Sequence, residues 1–282
     1  MRAGFVAGAL MAFMDEGFTD FDVAVAVSAS VPTLAYFASN QRREMEAVWR
    51  GELNTPKLVC YRNIPAASLA LSVRRPVLDI DYLVYDVFKK KYPLDIASIK
   101  KNRMACYFGM TKVPEAELVF LTPEDSDIYD TFKAALAVPG CFPGTVCIDA
   151  CEYVDGGTLD PLPITGLFDR DVSKVMAILT KPTTCGTEPP TFLERTLFWR
   201  YFHRHDWMIE KLCEAARAYE QSVARLEQLA QEEPARAFVI YPDKMPPAKF
   251  ITRDREKINR TIDLGYRTVL KLKDRIRRFL EH

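Results

Sequence analysis

Phe21 to Val27 is a valine-rich run without polar alternation, the pattern of a strand buried on both faces. A helical pattern begins at Pro32, a residue tolerated in a first helical turn. Only Ser28, Ala29, Ser30 and Val31 lie between them, which is too short for a loop. The strand must therefore pass into the helix through a sharp turn with Ser28 at its apex. A buried strand feeding straight into a helix belongs to layered α/β architecture, and the rest of the chain continues that theme.

A helix over 4–16 precedes the turn and stops at Gly17, a residue suited to a helix C-terminus. The stretches 58–61, 104–110, 118–121, 147–154 and 174–180 read as strands. Between them, 64–104 carries helical patterns with a start at 79–83, and 131–138 is a small-residue helix halted by Pro139-Gly140. The alternation predicts a three-layer sandwich with a mainly parallel central sheet. Pro, Thr and Gly cluster over 181–190, which divides the chain into a domain over 1–185 and a mostly helical extension over 190–282. The extension carries helical patterns over 192–207, 205–231 and 253–281, with one short strand over 237–241.

The 282 residues hold 38 basic and 38 acidic side chains, so no global field draws the chain to nucleic acid. Seven irregularly spaced cysteines fit reduced thiols in a cytoplasmic protein. Residues 1–14 imitate a signal peptide, yet one basic residue precedes the apolar run and Asp15-Glu16 follow it without a cleavage site. The segment 21–39 is interrupted by Asp22, Ser28, Ser30 and Pro32 before it reaches spanning length.

The turn at Ser28 has a chemical use. An acyl-transfer nucleophile needs a hydroxyl held clear of its own backbone, and small neighbours let strand and helix approach there. The pattern is Ala26-Val27-Ser28-Ala29-Ser30, in which Ala26 and Ser30 stand where glycine is usual. The following helix turns its positive end toward the hydroxyl, which favours an oxyanion. A tightly packed crossover with a capping serine would look the same. The second candidate is Asp155 in Tyr153-Val154-Asp155-Gly156-Gly157, a carboxylate at a strand end that is placed to act as a base without a histidine. An ordinary Asp-Gly turn is its alternative.

Taken in order, these segments resemble the patatin-like phospholipase family. The resemblance rests on Met1-Arg2-Ala3-Gly4 through Leu10, on 21–30, on Ala134 through Pro143 with its Pro139-Gly140, and on Tyr153 through Pro163. It covers about residues 1–180, and the tail around Val239–Pro242 and Asp263–Tyr266 looks like the extension of a bacterial branch. The resemblance implies a Ser–Asp dyad that hydrolyses acyl esters of lipids through an acyl-serine, with Ser28 as nucleophile and Asp155 as base. It implies no metal and no organic cofactor, a lipid or acyl-ester substrate, and an apolar cleft for the acyl chain beside the helices of 64–104. Arg2, Ala3 and Ala29 fall in the vicinity of the oxyanion. Family members carry a first strand and a glycine-rich oxyanion loop ahead of the position of Met1, and this sequence starts after both. The alternative expectation is accordingly a non-catalytic relative that keeps a lipid-binding or interaction role.

Cys141, Cys147 and Cys151 are close in sequence but lack metal-ligand spacing, and buried structural thiols are the favoured reading. His203 and His205 lie among Trp199, Tyr201, Phe202 and Trp207, which reads as an aromatic packing surface rather than as a triad histidine. The final helix holds ten basic and five acidic residues over 253–281. It either makes peripheral contact with an anionic membrane or is a solvated face with internal pairs such as Asp263–Arg267, and the second is favoured.

Overall fold

The computed structural model describes residues 1–64, 76–164, 167, 172–185 and 207–281. It is a mixed α/β arrangement with a helical C-terminal region. Helix α1 (Gly4–Glu16) has the expected bounds, and Gly17 closes it in the left-handed region at φ 77°. Residues Gly4 to Phe13 are all buried, because the last helix, α7 (Arg255–Glu281), lies along α1. The two backbones nearly touch at Gly8 and Gly265. A Cβ on Gly8 would stand 1.9 Å from the Ile262 carbonyl oxygen, and one on Gly265 would stand 2.0 Å from that of Phe5. Ile258, Ile262, Val269 and Ile276 of α7 belong to the same apolar core as Phe5, Leu10 and Phe13 of α1.

Strand β1 (Val23–Val27) leads through Ser28 into α2 (Ser30–Ala38). A short helix, α3 (Arg42–Ala47), continues into a π-helical turn over Val48–Glu52, and a π-helical segment spans Tyr82–Lys91. Asp79 Oδ1 accepts the Tyr82 N–H at 3.0 Å and so caps that segment where the sequence predicts a start. Then come α4 (Ile96–Lys101), β2 (Ala105–Val113), β3 (Glu117–Leu121), α5 (Ile128–Leu136), β4 (Val146–Ile148) and β5 (Cys151–Asp155). The chain closes with β6 (Val175–Ile178), α6 (Trp207–Ala230), β7 (Ala237–Ile240) and α7.

The register of the sheet around β2 decides which strand ends meet. β3 runs antiparallel along Phe108–Lys112 and occupies one edge of β2. β1 pairs parallel with Ala105–Gly109, and β5 pairs antiparallel with Met110–Val113. A strand has only two edges, so β1 and β5 share the other one. Val27 pairs with Gly109 and Asp155 with Met110, so the C-terminal ends of β1 and β5 run toward each other and converge.

The five-stranded sheet is mixed rather than mainly parallel: β1–β2 is parallel, while β2–β3, β2–β5 and β4–β5 are antiparallel. The reason is connection length, since a parallel return needs a crossover of about a dozen residues or more. The stretch 147–154, expected as one strand, is a hairpin whose two turn residues, Asp149 and Ala150, both have positive φ. The strand expected over 58–61 is reduced to a single bridge between Val59 and Leu78. β1 is buried only at Ala26 and half-buried elsewhere. Its second edge faces β6 across a cavity of about 550 Å³ instead of another described strand.

β6 and β7 pair in parallel, and α6 packs on β7. The expected domain boundary falls on 186–190, outside the described residues, as do the helical pattern over 192–206 and the residues His203 and His205. The chain before and after that boundary is joined by the β6–β7 pair and by the α1–α7 contact. Among the described residues, no helix is long and apolar enough to cross a membrane.

Candidate active site

Ser28 sits at the tip of the β1–α2 turn with φ 57°, in the left-handed region. A residue with a Cβ is strained there. The strain has a structural use, because it reverses the chain within one residue and frees the side chain from β1. Ser28 O accepts the Val31 N–H at 3.0 Å, which ties the turn to the first turn of α2. Ala29 is the N-cap residue, already helical at φ −61°, with Ser30 opening the helix. Ala26, one of the two residues in place of glycine, is accommodated within the core.

Asp155 ends β5 and is 3% exposed. The Ser28 hydroxyl donates to its Oδ2 at 2.6 Å across a separation of 127 residues. Its Oδ1 accepts the Gly157 N–H at 2.7 Å, and its own carbonyl accepts the Thr111 hydroxyl at 3.1 Å. The carboxylate is therefore held at both oxygens and through its backbone. Burial pushes its pKa up to about 6, and the hydrogen bonds from Ser28 and Gly157 act in the opposite direction. Gly156 is required for this closure, since a Cβ there would stand 2.5 Å from the Gly109 carbonyl oxygen.

Ser28 also borders an apolar cavity of about 90 Å³, lined by residues that include Pro32, Tyr36, Trp49, Leu53, Leu83 and Phe88. Part of the lining comes from the 64–104 stretch, part from α2 and the turn after α3, and part from Met1, Leu58, Leu136, Val138 and Phe250. Polar groups near this wall are satisfied. Trp49 Nε1 donates to the Thr33 hydroxyl at 3.2 Å, and that hydroxyl donates to Ala29 O at 2.9 Å. Tyr36 donates to Tyr92 O at 2.6 Å.

Met1 borders the same cavity as Ser28, and Arg2 and Ala3 form the half-buried entry to α1. The charge of Arg2, expected near the oxyanion, acts on Lys181 and Tyr219, and Asp155 is shifted by burial, Ser28 and Gly157. Thr111, Lys181 and Tyr219 carried no sequence signal. Thr111 looks like any strand threonine, and Lys181 and Tyr219 come close only through the fold.

The basic face of α7 is largely engaged at modest strength. Asp263 takes Arg50 at 2.7 Å and Arg267 at 3.9 Å, and Lys273 reaches Glu16 at 3.8 Å. Arg275 and Arg277 lie over the rings of Phe238 and Phe18.

Residues 206–281, the segment of α6, β7 and α7, match a domain of unknown function (DUF6363). The chain is similar to the uncharacterized protein YjjU of Escherichia coli, with 24% identity over 255 residues. That similarity covers 86% of this chain and 66% of the relative, so the chain spans just under two thirds of the length of the protein it matches.

Proposed function

We propose that this chain is a serine lipid acyl hydrolase of the patatin-like kind, with Ser28 as nucleophile and Asp155 as its base. The three-layer fold of that family is the finer architecture this reading implies. The observation that carries it is the 2.6 Å hydrogen bond between a strained, turn-tip hydroxyl and a buried carboxylate. The apolar cavity at Ser28 adds the place for an acyl chain.

The chemistry rests on those positions. Ser28 Oγ attacks the ester carbonyl while its proton passes to Asp155 Oδ2. A carboxylate with its pKa near 6 is a better base than an ordinary aspartate, and it is still ionised at neutral pH. The tetrahedral oxyanion lies by the N-terminus of α2, at Ala29, where helix polarity favours negative charge. Collapse breaks the ester C–O bond, and the leaving alkoxide takes the proton held by Asp155. A water then gives its proton to Asp155, attacks the acyl-serine and releases the acid, and the proton returns to Ser28.

Release of p-nitrophenol from acyl esters tests the assignment, together with labelling by a fluorophosphonate. Both are expected in the wild type and lost in Ser28→Ala, and turnover is expected to be lost in Asp155→Asn. Turnover unaffected by either substitution would overturn the roles given to these residues.

A further inference from the structure

The segment of α6, β7 and α7, which matches the domain of unknown function, encloses a groove in which neither Ser28 nor Asp155 takes part. Its volume is about 1010 Å³, and of its lining only Lys174 and Thr183 come from outside 206–281. β7 lies along it. On one face of β7, Ala237 and Val239 pack with Tyr219, Val223 and Leu226 of α6. On the other face, Ile240 joins the core of α7, and the rings of Phe238 and Phe279 lie 5.6 Å apart. With both faces covered, what β7 presents to the groove is an edge.

The hydrogen bonds to β6 settle which edge. Val175 N–H donates to Arg236 O at 2.9 Å, and Leu179 N–H donates to Ile240 O at 2.8 Å. Backbone groups alternate sides along a strand, so Phe238 also faces β6 while Ala237 and Val239 turn their N–H and C=O away from it. Both residues line the groove, and these groups have no hydrogen-bond partner among the described residues. An unpaired edge of this kind is a template for an extended chain.

One wall of the groove is cationic. Lys271, Arg275 and Arg278 stand at i, i+4 and i+7 of α7 and all line it, and Lys174 joins them. Against these four cations the lining holds two acids, Glu227 and Asp243. Lys271 reaches Asp243 at 4.0 Å, but the two side chains are 76% and 87% exposed, so that pair is weak. Arg275 lies over the Phe238 ring, Arg278 Nε donates to Asp274 O at 3.3 Å, and Lys174 donates to Phe279 O at 3.2 Å. The partners of these three are a ring and carbonyls rather than carboxylates. Cations also guard a strand edge against aggregation. Guarding alone needs no recess between two helices.

We infer that this groove docks an extended acidic segment of a partner protein, which adds a strand to β7. Side chains of an added strand alternate, one set toward α7 and the other toward α6. The set facing α7 meets the cations and is acidic. The set facing α6 meets Glu227 and Ala230, so it is uncharged. A second copy of this chain fits less well, since antiparallel pairing of β7 with itself places both cationic walls on one face. A flat anionic membrane meets the rim cations but not an edge recessed between helices. The inference stands apart from the hydrolase reading.

Fluorescence anisotropy on the full chain, with a short labelled peptide of alternating glutamate and valine, tests this. Binding in the micromolar range is expected, with amide hydrogen exchange slowed over 237–240. Arg275→Gln should weaken it about tenfold. A lysine–valine peptide should not bind. The glutamate–valine peptide N-methylated at every amide keeps its charge but cannot pair with a strand, and it should not bind either. Ser28→Ala should bind as the wild type does, whatever its effect on ester turnover. No binding of the glutamate–valine peptide, or equal binding of the lysine–valine or methylated one, overturns the proposal. Two other results also overturn it. One is capture by phosphatidylserine vesicles, weakened in Arg275→Gln, with no peptide binding. The other is a concentration-dependent dimer in sedimentation that dissociates in Val239→Pro, a substitution that removes the edge N–H and spares the β6 pairing.

Discussion

Two contacts join distant parts of this chain, and they have opposite characters. At the α1–α7 crossing, Gly8 and Gly265 let two helix backbones meet with no side chain between them, in the middle of the main core. At the dyad, a non-glycine residue is held at φ 57° and a carboxylate is buried against its own preference for water. The first contact is at ease and serves stability. The second is strained and desolvated, and it persists because its surroundings over-determine it. Strain alone does not mark a site, since Asp149 and Ala150 also hold positive φ in a plain hairpin turn; at Ser28 it coincides with a buried carboxylate in hydrogen-bond contact.

Substitutions at each contact should therefore fail in different ways. Under the proposed hydrolase function, the largest effect is expected at the dyad and in activity alone: Ser28→Ala lowers kcat for ester hydrolysis by about 10⁴-fold or more, about 5.5 kcal/mol in barrier, as steady-state kinetics would read. Its circular dichroism should stay native. A Ser28→Ala variant that keeps the wild-type rate breaks the distinction. Next is the crossing, where Gly8→Val drives a side chain into the Ile262 carbonyl. Denaturant titration should show a loss of about 3 kcal/mol or more.

A comparable effect is expected from Asp155 and pH. Below about pH 4 the folded and unfolded states both hold the proton. Between about 4 and 6 the unfolded chain releases it while Asp155 keeps it, because its pKa is raised from 3.8 to about 6. Stability thus declines as pH rises through that window and levels off above it, by on the order of 3 kcal/mol from this group. Asp155→Asn, neutral throughout, should lack the decline in melts taken from pH 4 to 8. Under the proposed function the same ionisation gives kcat/KM an acid limb near pH 6, rising with pH as the base form appears. The smallest effect isolates the strain. Ser28→Gly and Ser28→Ala both remove the hydroxyl, but only glycine is at ease at positive φ, so the glycine variant should be the more stable by about 1 kcal/mol. Equal stabilities would mean that the turn holds no strain.

How much of this was legible depended on whether the signal was local. The bounds of α1 and its stop at Gly17 match the expectation, because helical periodicity and a C-terminal glycine act within one turn of chain. The Ser28 turn is equally plain, since a valine-rich strand pattern passes into a helix pattern within four small or β-branched residues. The hairpin at Asp149-Ala150 has no glycine to announce it and puts an alanine at positive φ, so 147–154 reads as one strand and the sheet as more parallel than it is. Lys181 and Tyr219 were invisible, for a lysine after a strand and a tyrosine on an amphipathic helix are ordinary until they share a buried place.

The sequence by itself determined the parts: a hydroxyl on a sharp strand-to-helix turn, a carboxylate at a strand end, and an α/β succession to carry them. Their meeting was decided by tertiary structure alone. β1 and β5 approach along one edge of β2 from opposite directions, and only that shared edge brings Ser28 to Asp155. The physical reason is that backbone pairing between distant strands fixes register and direction together, and neither is written in any window of the chain short enough to read.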